Sequence, residues 1–234
     1  MTQSLDVIRV FHNAFRGDMQ LIDVAALDAA RGKQDLAADV ERFRFFNEVL
    51  VWHADGEEEA VFPRLERVAP LVAEPYIKDH RGLDAAFDEL DRSHALHDSL
   101  RTARATAAFR FHLNMHLDKE DTHLYRIFKE RVSLPEQAKA IGIMASKVPQ
   151  DRFAELVGWL FPLVELDDRE TMIHIYQTMM PEPVFASTKE LIKKAIGDDW
   201  AELTQRIPTL KLLLVGRAKT TETRKQMVAD EVGA

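Results

Sequence analysis

The chain has 234 residues, a formal net charge of −8 and no cysteine. The length suits one ordinary domain with an extension. The lack of cysteine excludes disulfides, cysteine-ligated zinc, iron–sulfur clusters and a thiol nucleophile. Acids and bases are mixed along the chain apart from a basic cluster at residues 211–225, so nucleic acid is not expected as the main partner.

The first half of the sequence predicts four long amphipathic helices. The first carries Phe15 and Leu21 on its apolar face and breaks at Gly32. The second covers residues 36–53, and Pro63 restricts its continuation. The third begins at Glu74 and carries Ile77 on its apolar face, and the fourth covers about residues 101–129. Connections of modest length between four such helices favour an antiparallel four-helix bundle, and hence an all-α fold.

The second half predicts shorter helices separated by prolines. The sequence of residues 133–136 predicts a capping box at Ser133 with proline in the first turn, and Asp167 and Ser187 mark two further helix starts. We therefore predict three parts: the bundle at 1–131, a helical extension at 132–210 that packs on the bundle or on a partner, and a polar, disordered tail at 211–234.

Nothing in the chain predicts export or membrane insertion. The first fifteen residues lack the charged-then-apolar order of a secretion signal. No apolar run approaches the roughly 18 residues that a membrane span needs. The expected location is therefore the cytoplasm.

An internal repeat joins the histidines of the bundle into one pattern. His53 and Glu57 align with His116 and Glu120 at an offset of 63 residues. The lone His12 and His80, on the first and third helices, are related by an offset of 68. The repeat predicts two helical hairpins, related by a pseudo-twofold axis, that bring these six side chains together in the core.

The residue types of this pattern predict a site for two metal ions. Side chains four residues apart share a helix face, so each His-x-x-x-Glu pair points one way. Imidazole binds iron, copper, nickel or zinc, and a carboxylate can bridge two cations. A lone core histidine or a single i,i+4 pair is more often structural, but a repeated set on alternate helices favours metal ligands. The predicted ligands are His12, His53, Glu57, His80, His116 and Glu120.

The same pattern resembles the hemerythrin-like, or HHE cation-binding, domain family over about residues 5–130. The segments WHADGEEEAVFPRL and MHLDKEDTHLYRIF are similar to the two metal-binding helices of that family. The resemblance implies a four-helix bundle holding two non-haem iron ions, oxo- or hydroxo-bridged. It assigns His12 and His53 to one iron and His80 and His116 to the other, with Glu57 and Glu120 bridging.

One position departs from the pattern of the oxygen carriers in this family. Those proteins have two histidines four residues apart on the third helix, whereas Asp84 follows His80 here. The expected site is therefore more open, like that of bacterial relatives associated with sensing or redox chemistry. Tyr76 and Asp84 are possible extra ligands. His112 and Tyr125 are weaker candidates, and all four have an ordinary structural interpretation.

The functional hypothesis is a di-iron protein that binds or reduces a small oxidant, namely dioxygen, peroxide or nitric oxide. The chemistry would make it an oxidoreductase if turnover occurs, with an electron donor as partner. The alternative is an oxygen- or iron-responsive sensor that acts on a protein partner through residues 132–210. Iron storage and oxygen carriage are less supported, because the site has few carboxylates and lacks the second histidine.

Overall fold

The computed structural model describes residues 5–33, 35 and 37–211. Helices dominate this part of the chain, which contains no strand, so the predicted all-α fold is confirmed. The bundle consists of α1 (Asp6–Ala30), α2 and α3 (Ala37–Gly56 and Phe62–Val68), α4 (Glu74–Ala95), and α5 and α6 (Ser99–Lys119 and Tyr125–Arg131). None of the described helices is long and apolar enough to cross a membrane.

A π-helical turn interrupts two of the four bundle helices. Residues Glu57–Val61 join α2 to α3, and Glu120–Leu124 join α5 to α6. The N–H of the residue after each turn donates to the carbonyl five residues back, Phe62 to Glu57 and Tyr125 to Glu120. Such single-turn insertions occur often at functional sites. Their offset of 63 residues is that of the sequence repeat, so the two hairpins share this irregularity.

The first π turn also explains why Pro63 does not end the second helix. Pro63 lies in the first turn of α3, where a missing N–H is tolerated. The helix therefore continues to Val68, beyond the limit that the proline predicted.

The bundle core is aromatic, with Phe15, Phe43, Phe46 and Phe109 almost fully buried. Two residues assigned to apolar faces from the sequence do not join it. Leu21 is 49% exposed and Ile77 is 37% exposed. Next to Leu21, it is Ile22 whose side chain is buried in the core.

The extension contains α7 (Leu134–Ser146), α8 (Phe153–Leu163), α9 (Leu166–Met179), α10 (Glu182–Ile196) and α11 (Trp200–Arg206). The predicted start at Ser133 is confirmed, because Ser133 is the N-cap residue of α7 and Pro135 lies in its first turn, whereas the predicted start at Ser187 was wrong. The Ser133 side chain makes no capping hydrogen bond, and Glu136 instead binds Arg64 and Lys139. Ser187 lies inside α10, because Pro181 and Pro183 set that helix's start five residues earlier.

The extension packs on the bundle along two apolar contacts. Ile141 and Met144 of α7 share a cluster with Ala60 and Val61 of the first π turn. A second cluster joins α1 to α8, α9 and α10. Polar anchors reinforce the second contact, since the Asn13 amide donates to Asp168 over 2.7 Å. The predicted tail at 211–234 lies outside the described residues except for Lys211, and the division at residue 131 stays a prediction.

Candidate metal centre

The six side chains singled out by the repeat meet in the middle of the bundle. His12 lies on α1 and His80 on α4. His53 and His116 lie in the last turns of α2 and α5, and each is followed four residues later by the first residue of a π turn, Glu57 or Glu120. All six are at most 8% exposed.

The donor atoms form two groups that share both glutamates. The groups are His12, His53, Glu57 and Glu120 on one side and Glu57, His80, His116 and Glu120 on the other. Within each group one ligand atom per residue lies within 4.8 Å of all the others. This is the division into two positions, each with two imidazoles and two shared carboxylates, that the family resemblance implied.

The closest distances fall between imidazole nitrogens and carboxylate oxygens. His53 Nε2 is 3.2 Å from Glu57 Oε1, and His80 Nε2 is 3.4 Å from Glu57 Oε2. His116 Nε2 is 3.3 Å from Glu120 Oε1, and His12 Nε2 is 3.5 Å from Glu120 Oε2. Each glutamate therefore directs one oxygen towards each group, as a bridging carboxylate does.

Several of these buried atoms have no hydrogen-bond partner. They are Glu57 Oε2, both carboxylate oxygens of Glu120 and His80 Nε2. Each unsatisfied buried acceptor costs about 1–3 kcal/mol. A pair of cations would satisfy all four atoms at once, and nitrogen and oxygen donors suit iron, manganese or zinc. The residues present therefore fit the metal ions that the pattern predicts.

The protonation of the cluster also favours a cation. Burial raises the pKa of Glu120 well above its usual range, and the Glu57 carboxylate raises it further. Burial acts in the same direction on Glu57, but the imidazoles of His53 and His80 outweigh it and hold its pKa well below normal. Two adjacent buried carboxylates cannot both be ionised without a compensating positive charge. Metal ions supply that charge.

Two acids outside the cluster orient the lone histidines. Nδ1 of His12 lies 2.8 Å from Asp121 Oδ1, and Nδ1 of His80 lies 2.9 Å from Glu58 Oε1. In both cases the acid belongs to the opposite hairpin and directly follows a shared glutamate. Arginines hold the other oxygens of these acids, Arg16 on Asp121 and Arg81 on Glu58. Such partners fix the ring orientation and tautomer of a metal-binding histidine.

Two further residues contact the cluster: Asp79, which was not predicted to act there, and Tyr125, which was predicted only as a weaker candidate ligand. Asp79 lies 3.5 Å from His116 Nδ1 and pairs with Lys119. The Tyr125 hydroxyl donates to Glu57 Oε1. Asp79 stands one residue before His80, but neighbouring residues on a helix point in different directions, so this position does not indicate the contact with His116. Tyr125 was considered only as a ligand, and its contact with Glu57 depends on the π turn.

The proposed extra ligands bind other groups, although the Tyr76 ring packs against His116 with centroids 6.5 Å apart and Asp84 lines a cavity together with His80 and His116. The Tyr76 hydroxyl donates to the Lys119 carbonyl and contacts His123 Nδ1 at 3.0 Å. Asp84 is exposed and pairs with Arg81, and His112 is exposed as well. The described acids and histidines of the two groups are therefore the six predicted from the repeat.

Two cavities border the centre. One of about 220 Å³ lies between α2 and α4, and its walls include His53, His80 and His116. The other, of about 280 Å³, lies between the bundle and α7, α8 and α9. Its lining is apolar apart from His53 and the hydroxyl-bearing Tyr176. Three of the four histidines thus border space that a small molecule can enter.

The fold and the buried cluster define a cation-binding four-helix bundle. The chain belongs to the Hemerythrin HHE cation binding domain family, whose description matches residues 3–128. The expected family is therefore confirmed, and residues 132–210 lie beyond the matched part.

The curated relatives are much longer plant proteins. The chain is 26% identical over 178 residues to the zinc finger protein BRUTUS of Arabidopsis thaliana, covering 73% of this chain and 14% of that protein. It is 23% identical over 208 residues to the zinc finger protein BRUTUS-like At1g74770 of the same plant, covering 77% and 16%. This chain has no cysteine and so cannot itself hold a cysteine-ligated zinc finger. No solved structure matches the chain.

Proposed function

We propose that the chain is a non-haem di-iron protein that binds or reduces a small oxidant, namely dioxygen, peroxide or nitric oxide. The observation that carries this proposal is the pair of buried four-residue groups that share Glu57 and Glu120. The 220 Å³ cavity supports it, because three of the four histidines lie in its wall.

The chemistry divides between the bound ions and the protein. Two iron ions held side by side supply two electrons together, which is what the reduction of a peroxide requires. The chain contributes two imidazoles and a share of two carboxylates to each position. Phe15 and Phe46 of the aromatic core have no exposed surface, and Phe15 packs edge-on against His53, which shields that histidine from bulk water on this side.

The ligand count favours a reactive site over oxygen carriage. Each position has four protein donors, two of them shared, and Asp84, which pairs with Arg81, is not among them. Open coordination positions on both sides of the centre would let a small molecule reach either ion. A carrier of the hemerythrin type keeps one iron saturated, and this chain lacks the histidine that would do so.

The direct test combines metal analysis with an optical titration. Protein purified from iron-replete cells should contain about two iron ions per chain. The reduced protein is then mixed in turn with oxygen, peroxide and nitric oxide. Rapid appearance of an oxo-bridged ferric absorption band, or repeated consumption of one oxidant, supports the proposal, and reversible oxygen binding would assign a carrier. Protein without iron under these conditions would contradict the proposal.

A second candidate function, regulation through the extension, has its own supporting contact. The Cα atom of Gly56, next to Glu57, lies so close to α7 that a Cβ there would be 2.8 Å from Met144 Cγ. Metal binding at Glu57 therefore acts on a residue whose neighbour touches the extension. In this case the gain or loss of metal at the centre would change how the extension contacts a protein partner.

Hydrogen exchange of the full chain with and without iron distinguishes the two functions. A sensor should lose protection in residues 134–146 when iron is removed, because these residues lie against the first π turn. A centre that acts only by its own chemistry should lose protection in the bundle, with α7 unchanged.

A further inference from the structure

Tyr125 is hydrogen-bonded to Glu57, one of the two shared glutamates. Its hydroxyl donates to Glu57 Oε1, the oxygen that also lies 3.2 Å from His53 Nε2. The other oxygen, Glu57 Oε2, lies 3.4 Å from His80 and has no hydrogen-bond partner. The phenol therefore engages the glutamate only on the side of the group that contains His12 and His53.

The other half of the repeat lacks this hydroxyl. The residue 63 positions before Tyr125 is Phe62, which likewise follows a π turn. Phe62 stacks on His80 with ring centroids 5.4 Å apart, as Tyr125 packs beside His12 at 5.9 Å. A phenylalanine cannot donate a hydrogen bond, and both oxygens of Glu120 are without a partner. The pseudo-twofold symmetry of the centre is broken at this pair of residues.

A second contact distinguishes the same two groups. Nε2 of His12 and Nε2 of His53 are hydrogen-bonded to each other at 3.2 Å. On the opposite side, His80 Nε2 has no hydrogen-bond partner. A cation entering between His12 and His53 must displace a hydrogen bond and share an oxygen with Tyr125. A cation entering between His80 and His116 meets His80 Nε2, Glu57 Oε2 and Glu120 Oε1, none of which has a hydrogen-bond partner.

We propose that Tyr125 makes the two metal positions unequal, so that the position at His80 and His116 takes the first divalent cation. Tyr125 is a positioning residue that acts through Glu57 and weakens binding at His12 and His53. This inference rests on the proposed function, because it requires the cluster to bind metal. Removal of an outer partner of a metal ligand typically costs roughly 10–100-fold in affinity, whereas competition for Glu57 Oε1 acts in the opposite direction, and a separation of similar size is expected.

The hydroxyl could instead strengthen binding by holding Glu57 in place. Glu57 does not need that support, because it has no exposed surface and begins a π turn closed by its own carbonyl. Its second oxygen is also directed at His80. Competition for the oxygen is therefore the larger effect, and removal of the hydroxyl should tighten binding at the first group.

The test is an anaerobic calorimetric titration of the full chain with Co²⁺, followed also by its visible absorption. The wild-type protein should bind in two separate steps. In Tyr125→Phe the weaker step should tighten roughly tenfold and approach the stronger one. An unchanged or weakened second step in Tyr125→Phe would overturn the inference.

Variants with one damaged position assign the step to its group. In a His80→Ala chain, which keeps His12 and His53, Tyr125→Phe should tighten Co²⁺ binding. In a His12→Ala chain the same substitution should change binding less than about twofold. The exchange Tyr125→Phe with Phe62→Tyr places the hydroxyl on the other half and should reverse this result. If the wild-type chain binds no Co²⁺ or iron, the proposed function fails, whereas equal effects on both positions overturn only the role of Tyr125.

Discussion

The indole Nε1 of Trp159 donates a 2.6 Å hydrogen bond to Oδ2 of Asp18, a carboxylate with no exposed surface. Trp159 belongs to α8 of the extension and Asp18 to α1 of the bundle. Arg42 on α2 binds the other oxygen of the same carboxylate. One buried acid therefore connects two bundle helices and the extension.

Loss of this indole should loosen the extension from the bundle. Hydrogen bonds to charged groups contribute about 1.5–3 kcal/mol, so Trp159→Phe should lower the free energy of unfolding by that amount in urea denaturation. Trp200→Phe is a control, because it alters a partly buried indole of α11 elsewhere in the extension. Equal losses of unfolding free energy in both variants would mean that the hydrogen bond to Asp18 adds nothing to stability beyond the loss of indole packing.

Any side chain at Gly56 should destabilise the folded protein. A Cβ at this position would lie 2.8 Å from Met144 Cγ and 3.0 Å from Met144 Cα, so α7 would have to move. Overpacking of this kind costs about 1–3 kcal/mol, and Gly56→Ala should lower the thermal midpoint accordingly.

The matched control for that substitution is Gly82→Ala on α4. No atom lies within 4 Å of a Cβ at Gly82, and alanine is the better helix former by about 1 kcal/mol. Gly82→Ala should therefore raise the thermal midpoint. A stabilising effect of Gly56→Ala would show that α7 is not tightly packed against the metal-binding helix.

The outer acid Asp121 should matter for metal binding although it is not a ligand of either group. Asp121→Ala removes the partner of His12 Nδ1 and should weaken metal affinity by roughly 10–100-fold. Asp84→Ala should leave the affinity unchanged, because Asp84 is exposed and pairs with Arg81. Calorimetric titration with Co²⁺ measures both. A large effect at Asp84 would restore it as a ligand.

The shared glutamates should differ from the histidines in metal stoichiometry. Glu120 directs one oxygen to each group, so Glu120→Gln weakens both positions and should leave well under one ion per chain. His80→Ala damages one position and should leave about one ion. Metal analysis after gel filtration gives the counts, and far-ultraviolet circular dichroism confirms that each variant is folded. The same count in both variants would contradict the bridging role of Glu120.

The cluster could be predicted from the sequence because its residues are tied to a helical period and a repeat. His53 and Glu57 lie one helical turn apart, and the second copy of the pair removes most of the ambiguity. The crosswise contacts of Asp121 and Glu58 could not be read in this way. They depend on which helix faces which, and the sequence shows only that each of these acids follows a shared glutamate.

The irregular features were harder to predict for a physical reason. A π turn adds one residue to a helix without changing its composition, so the apolar pattern around Glu57 and Glu120 still reads as α-helix. The place of the extension was not predictable either, since Trp159 signals only that an apolar surface must be covered. Its partner Asp18 is a buried acid on an apolar helix face, which the pattern of that face does not reveal.

The crosswise arrangement of the outer acids has a consequence for how such a centre can be built. Glu58 of one hairpin holds His80 of the other, and Asp121 holds His12 in return. Two identical copies of a single hairpin, assembled as a homodimer, would thus contain every group that both positions need. In one polypeptide that contains both copies, the sequence of each half can change independently. The equivalent positions Tyr125 and Phe62 carry different side chains here, which is impossible in a homodimer of identical hairpins.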